Sequence, residues 1–277
     1  MKKILVPTDF STEAENALKV AAQLAKTYKC ELHLLHILEI PIHQVDPISG
    51  FSELPEAIFF MKLAHKQFTE LKKKDFLKGL KIHEHVEFHE IFKGVFQVCK
   101  KQNIDLVVMG SSGASGLREI FIGSNTEKVV RTSKTPVLVI KNDHPEFKIE
   151  NMVYASDFET DSKASFANAV NFAQLFKSKL HLVMVNTPNY FISTDDAKSK
   201  INQFIEDSNL TNHTITIYND VNVESGILNF AKSISADVIG ISTHGRKGLS
   251  HFFNGSISED LVNHANRPIL TFKIEDN

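Results

Sequence analysis

The sequence predicts an α/β protein of two similar, open, doubly wound domains, each built on a five-stranded parallel sheet. Three observations carry this reading: the chain repeats itself, each repeat alternates β-branched runs with helical patterns, and its few glycines gather behind one strand of each repeat. A shift of 148 residues lays Ile4-Leu5-Val6-Pro7-Thr8-Asp9-Phe10 over Met152-Val153-Tyr154-Ala155-Ser156-Asp157-Phe158, and Leu32-His33-Leu34-Leu35-His36-Ile37 over Leu180-His181-Leu182-Val183-Met184-Val185, without a gap. A shift of 132 then superposes Asp105, Gly113, Gly116, Leu117, Phe121, Gly123, Ser124, Glu127 and Pro136 on Asp237, Gly245, Gly248, Leu249, Phe253, Gly255, Ser256, Glu259 and Pro268. The first repeat is therefore longer by 16 residues, placed between about Glu39 and Phe76, where Pro41, Pro47, Gly50 and Pro55 mark a loop leading into a longer helix. The expected domains are residues 1–141 and 149–277, joined through Asn142-Asp143-His144-Pro145-Glu146, and 277 residues suit two domains of ordinary size.

In the first repeat, residues 4–6, 31–38, 82–88, 104–109 and 137–140 read as strands; in the second, 152–156, 179–185, 213–218, 237–241 and 269–272 do so. Between Asp9 and Cys30, the residues Ala17, Leu18, Ala21, Ala22, Leu24, Ala25 and Tyr28 recur at helical spacing, and Thr12 with Glu15 reads as a capping box at the start. Strand, helix, strand repeated in this way gives a parallel sheet covered on both faces by right-handed crossovers. Unbroken apolar runs such as Leu106-Val107-Val108-Met109 suit strands buried on both sides.

Composition narrows the function classes. Lys and Arg total 31 against 33 Asp and Glu, a net charge of −2, and the longest basic run is Lys72-Lys73-Lys74, a solvated helix end. Binding a nucleic-acid backbone by charge is not expected. Hydrophobic residues make up 42% of the chain, but no segment is long and apolar enough for a membrane helix. Met1-Lys2-Lys3 is followed only by Ile4-Leu5-Val6 before Pro7 interrupts, which is too short for a signal peptide. Cys30 and Cys99 make neither a disulfide framework nor a zinc site, and a reducing cytoplasm is the expected location.

Eight of the 12 glycines fall in the windows 110–123 and 240–255, each directly after the fourth strand of its repeat. In an open parallel sheet, ligands bind in the crevice at the strands' carboxyl ends. Glycine there lets backbone N–H groups approach a ligand, and the following helix start adds free donors and a favourable dipole for anions. Gly110-Ser111-Ser112-Gly113 and Gly123-Ser124-Asn125 thus read as the two sides of a phosphate cradle, the plainer reading being a pair of ordinary loops with helix caps. Asp9 and its counterpart Asp157 end the first strand of each repeat, placed either to accept hydrogen bonds from an adenine or ribose or simply to face a helix dipole. The stretch from Gly240 to Gly245 and on to Arg246-Lys247 lacks the Lys-Ser/Thr of a P-loop, and no Gly-x-Gly-x-x-Gly follows either first strand.

These residues resemble those of the universal stress protein family in tandem form, nearly end to end. The first repeat carries Ile4-Leu5-Val6-Pro7-Thr8-Asp9-Phe10-Ser11 and Gly110-x2-Gly113-x9-Gly123-Ser124. The resemblance implies Rossmann-like domains of the adenine nucleotide α-hydrolase-like group and ATP, often with a divalent metal such as Mg²⁺ or Mn²⁺, as ligand. It implies that Asp9 and the backbone at Ile37 hold adenine beside Pro7, that Met109 and Gly110 flank the ribose, and that Gly113, Gly123, Ser124 and Asn125 hold phosphates. In the second repeat the matching set is Asp157, Val185, Gly245, Gly255 and Ser256, but Ser242 stands where the motif's first glycine belongs and Ala155 replaces the proline. A side chain at 242 either crowds the ribose or adds a hydrogen bond. The resemblance also implies an intrachain pseudo-dimer, paired by pseudo-two-fold symmetry through last strands at 136–140 and 268–272, and a homodimer beyond it.

The expected function is an ATP-binding stress-response or signalling module in which nucleotide biases conformation or assembly. The alternative is a nucleotide-free protein-interaction module of the same fold. No set of nucleophile, base and orienting acid is visible, so hydrolysis, or autophosphorylation with Ser124 as acceptor and Asp9 as metal or base residue, rests on the resemblance alone. An ATP-dependent enzyme of the wider group is disfavoured, because both the Ser-Gly-Gly-x-Asp-Ser loop and the His-x-Gly-His signature are missing. His83, His85 and His89 alternate along one strand, for which a solvated face is the better reading than a metal-binding one, and His244 and Arg246 are either phosphate contacts or surface residues beside a turn.

Overall fold

The computed structural model describes residues 1–38, 54–88, 90–111, 123–243, 261 and 263–274. The first repeat forms β1 (Lys3–Pro7), α1 (Thr12–Tyr28), β2 (Glu31–Ile37), α2 (Leu54–Lys72), β3 (Ile82–Glu87), α3 (Ile91–Gln102), β4 (Leu106–Gly110), α4 (Ser124–Thr132) and β5 (Val137–Ile140). The second forms β6 (Asn151–Ala155), α5 (Lys163–Phe176), β7 (Lys179–Asn186), α6 (Thr194–Ile205), β8 (His213–Asn219), α7 (Val223–Ser233), β9 (Val238–Thr243) and β10 (Ile269–Lys273). All ten strands lie within two residues of their expected ends. α2 has 19 residues against 12 in α6, so part of the longer first repeat is helix; Pro41, Pro47 and Gly50 lie outside the described residues.

The strands make one ten-stranded sheet in the order β3-β2-β1-β4-β5-β10-β9-β6-β7-β8. Within each half every pairing is parallel, and the halves meet where β5 and β10 run antiparallel, with Val139 opposite Ile269, Leu138 opposite Leu270 and Val137 opposite Thr271. The expected pairing through the last strands is thus present. Such pairing removes two exposed edges that would otherwise template aggregation. One apolar cluster beneath α1, α2, α5 and α6 runs from Ile4 and Leu34 to Tyr154 and Phe272, and a second beneath α3, α4 and α7 runs from Leu5 and Val107 to Val183 and Ile239. Each layer therefore crosses the junction without a break.

One expectation is corrected at the start of α1. The cap is Ser11, not Thr12: its extended backbone precedes the helix, its hydroxyl accepts from the Ala14 N–H, and Glu15 ion-pairs with Lys74 instead of closing a capping box. The cause is the turn before it, where Phe10 takes φ 63° and swings the chain into the helix one residue early. Asp105 Oδ2 accepts from the N–H groups of Lys2 and Lys3 at 2.6 and 2.9 Å, and Asp237 Oδ2 accepts from Glu150 and Asn151, both at 2.8 Å, so one recurring carboxylate fixes the first strand against the fourth in each half. The linker is held by Gln23 of α1, which donates to the His144 carbonyl and accepts from the Phe147 N–H.

Leu138 and Leu270 are both 0% exposed at the antiparallel junction. Leu138→Ala should therefore cost about 2–5 kcal/mol, the range for a buried leucine truncation, read from the urea midpoint.

Candidate functional site

In each half the chain leaves its first strand toward one side of the sheet and its fourth toward the other, so the carboxyl ends of β1 and β4 flank a topological switch point. Thr8-Asp9-Phe10 forms one wall. The Thr8 N–H donates to the Leu35 carbonyl, its hydroxyl accepts from the Phe10 N–H at 3.0 Å, and Asp9 Oδ1 accepts from the Ser11 N–H at 3.0 Å. This folds a bulky residue into the left-handed region, a conformation that costs about 1–2 kcal/mol and that clusters at functional sites. Phe10 is held there by packing on His36 and Phe68. His36 Nδ1 reaches the Thr8 carbonyl at 2.8 Å, binding the end of β2 to the same turn. Asp9 is exposed beside the crevice.

The opposite wall begins at Met109 and Gly110. The Gly123 N–H donates to the Ser111 carbonyl at 2.8 Å, and the Thr126 hydroxyl donates to the Gly110 carbonyl at 2.9 Å, so α4 starts where β4 stops. Gly123 caps α4 without a side-chain hydrogen bond, leaving the amide end of a nine-residue helix, at Ser124 and Asn125, to other acceptors. Gly110 is required by close approach: a Cβ there would lie 2.9 Å from the Glu13 carbonyl oxygen. Of the predicted residues, Pro7, Asp9, Met109, Gly110, Gly123, Ser124 and Asn125 come to this crevice, and Ile37 ends the neighbouring strand β2. Gly113 and Ser112 lie outside the described residues, as do Gly245, Gly255, Ser256, His244 and Arg246.

The second half keeps the turn and changes its lining. The Ser156 hydroxyl accepts from the Phe158 N–H at 2.9 Å, and Phe158 again takes positive φ, at 55°. Asp157, however, is only 6% exposed, burial pushes its carboxyl above the usual range, and it accepts from the Glu159 N–H. The cleft among Asp157, Val183, Val185, Val223 and Ile227 holds ≈ 10 Å³, about one water's worth, whereas small-molecule pockets run to about 300–1,000 Å³. Ser242 faces the core: its hydroxyl bonds Tyr154 Oη at 2.6 Å and Ser165 Oγ at 2.8 Å, wholly buried. The Ser242 hydroxyl is thus engaged inward with the protein, at the position where the first half has Gly110. The equivalent first-half positions are Val6, Ala17 and Gly110, so three linked replacements exchange an apolar contact and a close approach for a buried polar cluster.

The universal stress protein family model matches residues 1–141 and again 148–273. The chain belongs to the universal stress protein family. A universal stress protein of Methanocaldococcus jannaschii is 36% identical over 154 residues, covering 50% of this chain and 94% of its own. A second from the same organism is 30% identical over 145 residues, covering 52% and 85%. The crystal structure of a universal stress protein from Archaeoglobus fulgidus superposes with a TM-score of 0.71 at 20% identity, covering 99% of this chain and 97% of that one, which places both halves in the family's fold.

Two residues of this universal stress protein escaped the sequence reading. Gly94 in α3 and Gly226 in α7 recur at the same shift of 132, outside the glycine windows. A Cβ on Gly94 would sit 2.5 Å from Ile37 Cδ1, and one on Gly226 would collide with Val185 Cγ1. These glycines let a helix settle against the ends of β2 and β7, the segments expected to hold adenine. The recurrence was the available signal.

Gly110→Ala should destabilise by about 1–3 kcal/mol, because the backbone at Glu13 cannot yield as a side chain can. Ser242→Gly should cost a similar about 1–3 kcal/mol for the opposite reason, the loss of buried hydrogen bonds. Urea unfolding of both variants checks the pair.

Proposed function

We propose that the first half binds an adenine nucleotide, ATP with Mg²⁺ or Mn²⁺, and that occupancy biases the conformation or assembly of two domains, residues 1–141 and 149–277, in a cytoplasmic stress response. The observation that carries this reading is the convergence at one switch point of the Asp9 carboxylate and the side-chain-uncapped start of α4, beside the carboxyl end of β4 at Gly110. An anion at that helix start gains free amide donors and the helix dipole together. Met109 and Gly110 would flank the ribose, with Asp9 and the Ile37 backbone at the base. Gly113, Gly123, Ser124 and Asn125 would surround the phosphates and the metal they carry.

The second half is proposed as a nucleotide-poor partner of the same fold, a role favoured by the buried Asp157 and the small cleft beside Val185. The alternative for the whole chain is a nucleotide-free interaction module, with a homodimer as one form of assembly.

Calorimetric titration of nucleotide-free protein with ATP and Mg²⁺ is expected to give about one site per chain. Gly113→Val should abolish the heat while leaving circular dichroism unchanged; undiminished affinity in that variant would sink the site, and two equal sites would overturn the second half's assignment. No binding in the parent protein would favour the interaction module.

A further inference from the structure

At the amino end of the sheet, far along the strands from the nucleotide crevice, β2 and β3 carry a second constellation. Glu31 and His33 lie on one face of β2, and His83 sits directly opposite His33 on β3. One ligand atom from each falls within 4.8 Å of the others. His33 is 2% exposed, and its Nε2 is buried with no hydrogen-bond partner, aimed 4.0 Å from Glu31 Oε2. His83 Nε2 meets the same carboxylate oxygen at 3.0 Å. We propose that Glu31, His33 and His83 form a binding site for a divalent transition-metal ion of the zinc class.

The donor chemistry selects that class. Two imidazoles and a carboxylate suit Zn²⁺, Co²⁺ or Ni²⁺, whereas Mg²⁺ and Ca²⁺ take oxygen ligands. Donors around a tetrahedral zinc stand about 3.3 Å apart, given bonds of about 2.0 Å, and the His33 and His83 rings, stacked with centroids 4.6 Å apart, must rotate for their nitrogens to converge on the ion. His33 Nδ1 lies 2.9 Å from His85 Nε2, and in the tautomer that donates this bond Nε2 is left as an acceptor, 4.0 Å from Glu31 Oε2. His85 is then the outer partner that orients a metal-bound histidine. Lys81 holds the other oxygen of Glu31 at 2.6 Å and keeps the carboxyl ionised, leaving Oε2 for the ion.

The second half supplies an internal control. His181 occupies the place of His33, but its Nδ1 bonds Thr214 Oγ1 at 2.8 Å and its Nε2 bonds Asn151 Oδ1 at 3.1 Å. Lys179 stands where Glu31 does, Thr214 where His83 does and Asn151 where Lys3 does. A histidine in this strand can therefore be fully satisfied within the fold. The first half has exchanged each of those neighbours and left a buried nitrogen pointing between two further donors.

Zn²⁺ alone, titrated into the full-length protein without nucleotide, should bind about one equivalent through this site and raise the unfolding temperature. Co²⁺ alone should develop the intense d–d bands of tetrahedral nitrogen and oxygen coordination. His83→Ala and Glu31→Gln, both at partly exposed positions, should each weaken Zn²⁺ binding at least tenfold and remove the thermal shift. His65→Ala, at a surface histidine on α2, and the nucleotide-site variant Gly113→Val should leave both intact. Equal Zn²⁺ affinity and equal thermal shift in parent, His83→Ala and Glu31→Gln would overturn the site, as would Co²⁺ spectra unchanged from the aqueous ion.

Discussion

The antiparallel contact of β5 with β10 joins the two halves into a single sheet. Three opposed residue pairs are enough to make it continuous, because both strands are buried under apolar layers that cross from one half to the other. Its consequence is directional. Strands that run parallel within each half become opposed across the junction, so the two switch points open at opposite ends of the ten-stranded sheet. Two ligands could not touch each other across it. Among the described residues the halves are coupled through the packed layers on either face, which are unbroken, and through the β5–β10 ladder.

Much of the fold was legible because its signals are local or periodic. Continuous apolar runs marked the buried strands, and the repeat itself reported the second domain once the first was read. The cap of α1 was misplaced by one residue because Phe10 adopts a positive φ, which sequence patterns assign to glycine or asparagine and seldom to a bulky aromatic. The switch-point crevice was legible in outline because strand order follows from the alternation of strands and helices, whereas most of the glycine windows beside it lie outside the described residues. Gly94 and Gly226 were not, because a lone glycine in a helix gives no hint of which side chain it makes room for.

The residues that defeated sequence reading share one property: their partners are remote in the chain. Whether Ser242 obstructs or bonds depends on Tyr154 and Ser165, which approach it only across the sheet and from a helix. The alternating histidines of β3 favoured a solvated face because their spacing shows the strand but not its neighbour. Cross-strand register alone puts His83 against His33 and within reach of Glu31.

The linked exchange of Val6, Ala17 and Gly110 for Tyr154, Ser165 and Ser242 bears on how the two halves drifted apart. Restoring glycine at 242 alone would strand buried hydroxyls, and introducing serine at 110 alone would strike the backbone of α1. Each half thus sits in a separate local optimum, reachable from the other only through less stable intermediates. A single substitution therefore cannot turn one half's core into the other's; all three positions must change together for either packing to be kept.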